Sequence, residues 1–228
     1  MTLATILEQA VLYIDGEAII LDKPAGLAVD RPRDRSPSVE EALPDLTFGF
    51  QRAPGIVHRL DRDTSGCLLL ARNPKAHKRF QQTFEAGLIQ KRYLAVVDGI
   101  PEQSSGSIDM ALGKVSTAEQ GWRMVPDAKG KAARTNWKKL GERDGRALLA
   151  FFPETGRTHQ IRVHAAEGLG MPITGDPVYG TAMPGVMMLL HAAALIVPRT
   201  NKPRIEAFSQ LPERFLTVGF VDPYANRG

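Results

Sequence analysis

The chain has a single cysteine, Cys67, among its 228 residues. A lone thiol cannot close an internal disulfide, so a disulfide-stapled scaffold is excluded and nothing points to an oxidising compartment. No stretch approaches the roughly 18 consecutive apolar residues of a membrane span. The start, Met1-Thr2-Leu3-Ala4-Thr5, lacks the basic residues that open a secretory signal. Internal repeats, low-complexity tails and clear linkers are absent as well. The charge excess is small, +4 with a pI of about 9.3, which suits a polyanionic partner without demanding one. A cytoplasmic protein with no membrane partner is the expectation, and a monomer is the simplest assembly.

At 43% hydrophobic residues the chain has enough apolar material for a sizeable core. One domain over residues 1–228 is expected. Val11 to Leu21 reads as a hairpin turning at Asp15-Gly16, where positive φ angles suit a two-residue turn. Ser36 to Asp45 reads as a short helix in which Ser38 and Glu41 form a capping box. A clearer helix follows Asn73 as N-cap, with Pro74 in its first turn, Phe80 and Phe84 on one face, and Gly87 as its stop. Lys91 to Asp98 reads as a strand.

Residues 101–130 are polar and weakly periodic, which suggests a variable, partly extended connection. Arg134 to Leu140 and Ala147 to Phe152 form a second hairpin around Asp144-Gly145, followed by a helix from Thr158 to about Glu167. Leu189 to Val197 is a buried strand by its length and flanking Pro198. Strands joined by hairpins outnumber helices, so the expected class is α+β with a mostly antiparallel sheet.

Chemistry concentrates in two polar runs. The first, His58-Arg59-Leu60-Asp61-Arg62-Asp63-Thr64-Ser65-Gly66, lies between apolar Ile56-Val57 and Leu68-Leu69-Leu70. Polar loops held on an apolar scaffold are where catalytic groups gather. A calcium loop starting at Asp61 would find Gly66 at its sixth position, but Arg72 stands where the twelfth-position Glu belongs. An Asp-x-Asp-x-Thr phosphotransferase would use Asp61 as nucleophile. It needs an apolar strand leading straight into that residue and further acids for magnesium, whereas His58-Arg59 interrupts the strand. A third chemistry needs one ionised carboxylate flanked by cations, which Arg59, Arg62 and Arg162 would supply. A purely structural Asp61–Arg162 ion pair fits the same pattern equally well.

The second run is Thr155-Gly156-Arg157-Thr158-His159-Gln160-Ile161-Arg162-Val163-His164. Gly156-Arg157-Thr158 at a helix start would seat a phosphate on backbone N–H groups. Thr158 and Arg162 share one face, while Ile161 and Ala165 face the core. His159 and His164 are spaced wrongly for two metal ligands on one helix face, and no Cys cluster accompanies them. His58 and His191 read as hydrogen-bonded structural residues before catalytic bases. Lys91 and Tyr93 share a strand face, where Tyr93 either covers the core edge or stacks on a planar substrate. Lys129, Lys131, Arg134, Lys138 and Lys139 read as a solvated surface first and a phosphate stripe second. Trp122 and Trp137 are usable base-stacking platforms if exposed.

Taken together these residues resemble the RluA-type RNA pseudouridine synthases over most of the chain. Lys23-Pro24-Ala25-Gly26-Leu27 looks like the family's first box, His58 to Gly66 its catalytic box, Lys91-Arg92-Tyr93 its tyrosine box and Thr155 to His164 its arginine box. Gly175-Asp176, Tyr179-Gly180 and Leu190-His191-Ala192 follow in the expected order.

The resemblance implies a long, bent, mostly antiparallel sheet flanked by helices and cleft by the active site. The reaction it implies uses neither metal nor organic cofactor, and the RNA is a structured rRNA or tRNA stem-loop. By the same resemblance Asp61 is the catalytic aspartate, Arg162 its charge partner and Tyr93 the ring against the target base. Arg59 takes the place of a residue that enters the RNA where the base has left. Arg62, Lys91, Arg157, His159 and Lys23 complete the expected RNA-binding set. The first box starts too near Met1 for the small N-terminal RNA-binding domain of many relatives. Asp30 stands where a His is common, and Val197-Pro198-Arg199 replaces a frequent His-Pro. A non-catalytic RNA-binding module on the same scaffold is the alternative from another class, and the Asp-x-Asp-x-Thr phosphotransferase stays behind it as a second.

Overall fold

A computed structural model describes residues 1–117, 121–181 and 185–224. In chain order the elements are α1 (Leu3–Gln9), β1 (Val11–Ile14), β2 (Ala18–Lys23), α2 (Val39–Ala42), β3 (Gly55–Ile56), β4 (Ser65–Ala71), α3 (Pro74–Glu85) and β5 (Gln90–Val97). They continue with β6 (Ser105–Asp109), β7 (Leu112–Thr117), β8 (Gly121–Pro126), β9 (Arg134–Arg143), β10 (Arg146–Pro153), α4 (Gln160–Val163), β11 (Leu190–Val197), β12 (Ile205–Phe208) and α5 (Glu213–Leu216). The class is α+β. None of the described helices is long and apolar enough to cross a membrane.

The chain divides into two compact units, residues 1–91 with 192–209, and 92–191 with 210–228. In the first, β2 pairs antiparallel with β1 and β4, β3 pairs with β4, and β12 pairs with β11. Ile20, Leu69, Phe80, Ile89 and Leu195 meet in its core. Gly66 at the start of β4 has φ +106, and a Cβ there would lie 2.3 Å from the Ala192 carbonyl oxygen, so only glycine fits.

Helix α3 starts as expected, with the Asn73 side chain accepting from the Ala76 N–H and Pro74 in the first turn. The capping box does not form. Ser38 makes no side-chain cap, Glu41 pairs with Arg31 at 3.3 Å, and the N–H groups of Val39 and Glu40 donate to the Ala28 and Val29 carbonyls. Backbone from the neighbouring segment satisfies the first two N–H groups of the helix, and Arg31 draws the Glu41 side chain away from the box. The first hairpin also turns differently, since neither Asp15 nor Gly16 has positive φ. Instead the Asp15 carboxylate accepts from the N–H groups of Glu17 and Ala18 and closes the turn through its side chain.

In the second unit β10 pairs antiparallel with β5 and β9, and β9 pairs with β6. The Asp144-Gly145 turn does carry positive φ at both residues, +49° and +74°. Ala95, Leu149, Phe151, Ile161, Ala165 and Ile173 form the core. The polar stretch 101–130, expected as a partly extended connection, is more regular than that. It holds β6 and the antiparallel hairpin β7–β8, with residues 118–120 outside the described set. Its strands are largely exposed, so they lack the apolar alternation by which a strand announces itself.

Candidate active site

In the first unit Asp61 lies half-buried on the loop between β3 and β4, and no regular strand leads into it. The loop is tied down from beneath. The Arg62 carbonyl accepts from the Gly26 N–H at 2.9 Å and from the Lys23 ammonium at 2.9 Å. Lys23 Nζ also donates to the carbonyls of Pro24 at 2.8 Å and Leu27 at 2.7 Å, and the side chain is wholly buried. Lys23 was expected among the RNA-binding residues. With its three N–H bonds spent on carbonyls and no surface exposed, it braces the first box against the Asp61 loop instead.

Arg59 and Arg62 project to the surface, where Asp30 and Asp34 hold them. Arg59 Nη1 lies 2.7 Å from Asp30, and Arg62 Nη2 lies 3.0 Å from Asp34 and 2.7 Å from Ser36 Oγ. Exposed pairs of this kind contribute about 0–1 kcal/mol, so a phosphate can displace them.

His58 is structural at this loop. Its Nε2 accepts from the Leu69 N–H at 3.0 Å and its ring stacks on Phe84 at 4.5 Å. Burial, aided by the positive Lys91, pulls its pKa down to about 3, so it is a neutral acceptor at physiological pH. Burial likewise brings Lys91 down to about 8.

In the second unit Tyr93 stands half-buried on β5 beside Phe151 of β10 and packs on that unit's core. Arg162 is nearly enclosed and meets Asp176 side-on, Nε to Oδ2 at 2.7 Å and Nη2 to Oδ1 at 2.7 Å. Asp176 is fully buried and also accepts from the N–H groups of Val178 and Tyr179 at 2.8 and 3.1 Å. Burial alone would raise its pKa, but the guanidinium and the two amides outweigh burial and hold the carboxyl below its ordinary value.

The expected helix from Thr158 is shorter. Four α-helical residues, Gln160–Val163, run into a π turn over His164–Gly168. The expected phosphate seat is occupied from within, because the Arg157 N–H donates to Gln160 Oε1 at 2.9 Å. Gln160 also binds the Thr155 hydroxyl, the Arg134 carbonyl and the Thr135 hydroxyl. Thr135 in turn bonds His164 Nδ1, whose Nε2 donates to the Met110 carbonyl. The Arg157 side chain is exposed, with Nε on the Ala132 carbonyl.

His159 has left-handed backbone, φ 53, and its Nδ1 lies 2.9 Å from the Tyr179 hydroxyl. Sequence reasoning missed both Gln160 and the role of Asp176. No local pattern marked Gln160, which lies between His159 and Ile161, while Asp176 showed only as half of a Gly-Asp pair. Among the described residues no group of His, Cys, Asp or Glu side chains is arranged to hold a metal ion.

Residues 17–167, a stretch holding Asp61, Tyr93 and Arg162, match the RNA pseudouridylate synthase family. The chain belongs to the RluA-type RNA pseudouridine synthases. An uncharacterized RNA pseudouridine synthase of Zymomonas mobilis is 54% identical over 94% of this chain and 99% of its own length. The ribosomal large subunit pseudouridine synthase D of the same organism is 33% identical over 81% of the chain, which spans only 60% of that protein. Among solved structures, human RNA pseudouridylate synthase domain containing 4 superposes with a TM-score of 0.79 at 25% identity, over 94% of this chain and 93% of that one. Family membership makes this synthase an isomerase acting on RNA.

Proposed function

We propose that the synthase converts particular uridines of a structured rRNA or tRNA stem-loop into pseudouridine, with Asp61 as the essential carboxylate. The observation that carries this reading is the placement of Asp61 on a loop locked through the Arg62 carbonyl by Lys23 and Gly26. A reacting carboxylate must be held within a fraction of an ångström, and a buried lysine clamping the adjacent peptide does that.

The isomerisation breaks the bond from ribose carbon 1 to uracil N1, turns the ring, and joins carbon 1 to C5. The C5 proton leaves to solvent and N1 gains a proton, so the atoms balance with no oxidant or reductant. One carboxylate suffices, whether it adds covalently or assists elimination at the ribose. Tyr93 supplies an aromatic wall for the uracil, Arg162 the compensating charge, and Arg59 fills the stack as the target base flips out. Arg59, Arg62, Lys91, Arg157 and His159 form the contact set for the RNA, and such binding weakens as salt rises.

Mapping pseudouridines in total RNA from cells with and without the protein tests the reading. Sites that vanish in its absence and return with the wild-type chain, but not with Asp61→Ala, are the expected result. An unchanged map contradicts it. A binding module on the same scaffold would instead leave Asp61→Ala fully functional in cells.

A further inference from the structure

The hairpin β7–β8 carries the more exposed of the two tryptophans. Trp122 is 40% exposed, whereas Trp137 on β9 is 4% exposed and sits in the core. A single exposed indole implies no partner by itself, so its surroundings have to carry the reading. Trp122 pairs across the hairpin with Ser116, and diagonally from it on the facing strand stands Lys114, whose ammonium lies 5.7 Å from the indole centroid.

The His159 ring meets the indole at 5.1 Å and 82°. That ring is itself fixed. The Tyr179 hydroxyl accepts from the Met124 N–H at 2.9 Å and also hydrogen-bonds His159 Nδ1 at 2.9 Å. His159 holds this position with a left-handed backbone, a conformation that costs a non-glycine residue energy and gathers at functional sites. Arg123, the next residue on β8, lies over the Tyr179 ring at 5.3 Å, and its buried Nε has no hydrogen-bond partner among the described residues. Lys129, Lys131 and the Arg157 side chain are exposed on neighbouring segments.

An apolar partner would have to desolvate these cations, and an acidic peptide would leave the indole face unused. A nucleic-acid strand satisfies both, with a base on the ring and phosphates on the cations.

We infer that Trp122, braced by His159, is a stacking platform for an unpaired RNA base other than the target uridine, with Lys114 and Arg123 taking the adjacent phosphates. This rests on RNA being the substrate, but it concerns binding and not the isomerisation. The platform reads strand flexibility and not base identity, so it selects RNA with an unpaired segment beside the target.

The test titrates the full chain with single-stranded oligouridine and with a blunt duplex RNA of equal length, following tryptophan emission. Oligouridine quenches the emission and the duplex does not. Trp122→Phe abolishes the quench, because Trp137 is buried, yet keeps affinity within about twofold, while Trp122→Ala weakens binding by about fivefold or more. Lys114→Ala lowers the slope of log affinity against log salt by about 0.7. Matching thermal melts for the variants confirm that each is folded. Wild-type affinity in Trp122→Ala, equal quenching by the duplex, or failure of Phe to restore affinity each overturns the inference. If these binding results hold while the wild type forms no pseudouridine, the reaction assigned above fails and the platform stands. The converse result removes the platform alone.

Discussion

Arg162 and Asp176 form a two-point ion pair in which both partners are buried, Nε to Oδ2 and Nη2 to Oδ1 at 2.7 Å each. This fixes the plane and the direction of the guanidinium before any substrate arrives. A fork held along one edge presents its other edge in a set orientation, which a lysine at this position would not do.

Removing Asp176 takes away both side-on bonds of a buried guanidinium. Asp176→Ala is expected to lower the unfolding free energy by about 3–5 kcal/mol, read by urea denaturation. The native carboxyl titrates below its ordinary value of 3.8. Its contribution is therefore complete above that pH and is lost as pH falls through the native value, so the gap between wild type and variant narrows only in acid.

Lys23 is the support whose loss separates positioning from binding. Lys23→Met keeps the buried stem but leaves the Pro24, Leu27 and Arg62 carbonyls without its three N–H donors. Unmade buried hydrogen bonds cost about 1–3 kcal/mol each, so stability falls. Turnover falls on the order of a hundredfold through misplacement of Asp61, while RNA affinity in a filter assay stays near wild type. A matching loss of affinity would make Lys23 a binding residue after all.

His58 sets a second pH dependence, with the opposite chemistry. It is a base whose native pKa is depressed from 6.5 to about 3. Below pH 6.5 the unfolded chain takes up a proton that the native ring refuses, so stability drops as pH falls from 6.5 toward 3 and is untouched above 6.5. In His58→Gln an amide oxygen can still accept from the Leu69 N–H without titrating. Its stability curve over that window is expected to be flatter than wild type, measured by denaturant melts across the range.

Much of the scaffold was legible because its signals are local. Asn73-Pro74 with Phe80, Phe84 and Gly87 specifies α3, and Asp144-Gly145 specifies its hairpin, through interactions within a few residues. In three places a group other than the expected one took over a local role. The Ala28 and Val29 carbonyls satisfy the first two N–H groups of α2 where a capping box was expected, and the Asp15 carboxylate replaced a positive-φ turn. Gln160 absorbed the amide expected to bind phosphate. The strands between residues 105 and 126 escaped notice because exposed strands need no apolar alternation. At the site, the family resemblance singled out Asp61, Tyr93 and Arg162, and their roles are proposals. Lys23 was named for RNA binding through the resemblance, and its burial and three carbonyl partners fit a clamp better.

Asp61 is proposed to carry the isomerisation. Release of tritium from RNA labelled at uridine C5 measures that step directly, because the C5 hydrogen leaves only when carbon 1 of the ribose is joined there. The wild type is expected to release tritium with RNA extracted from cells lacking the protein, and Asp61→Ala to release none above background while still binding the RNA. Undiminished release by Asp61→Ala would contradict the account.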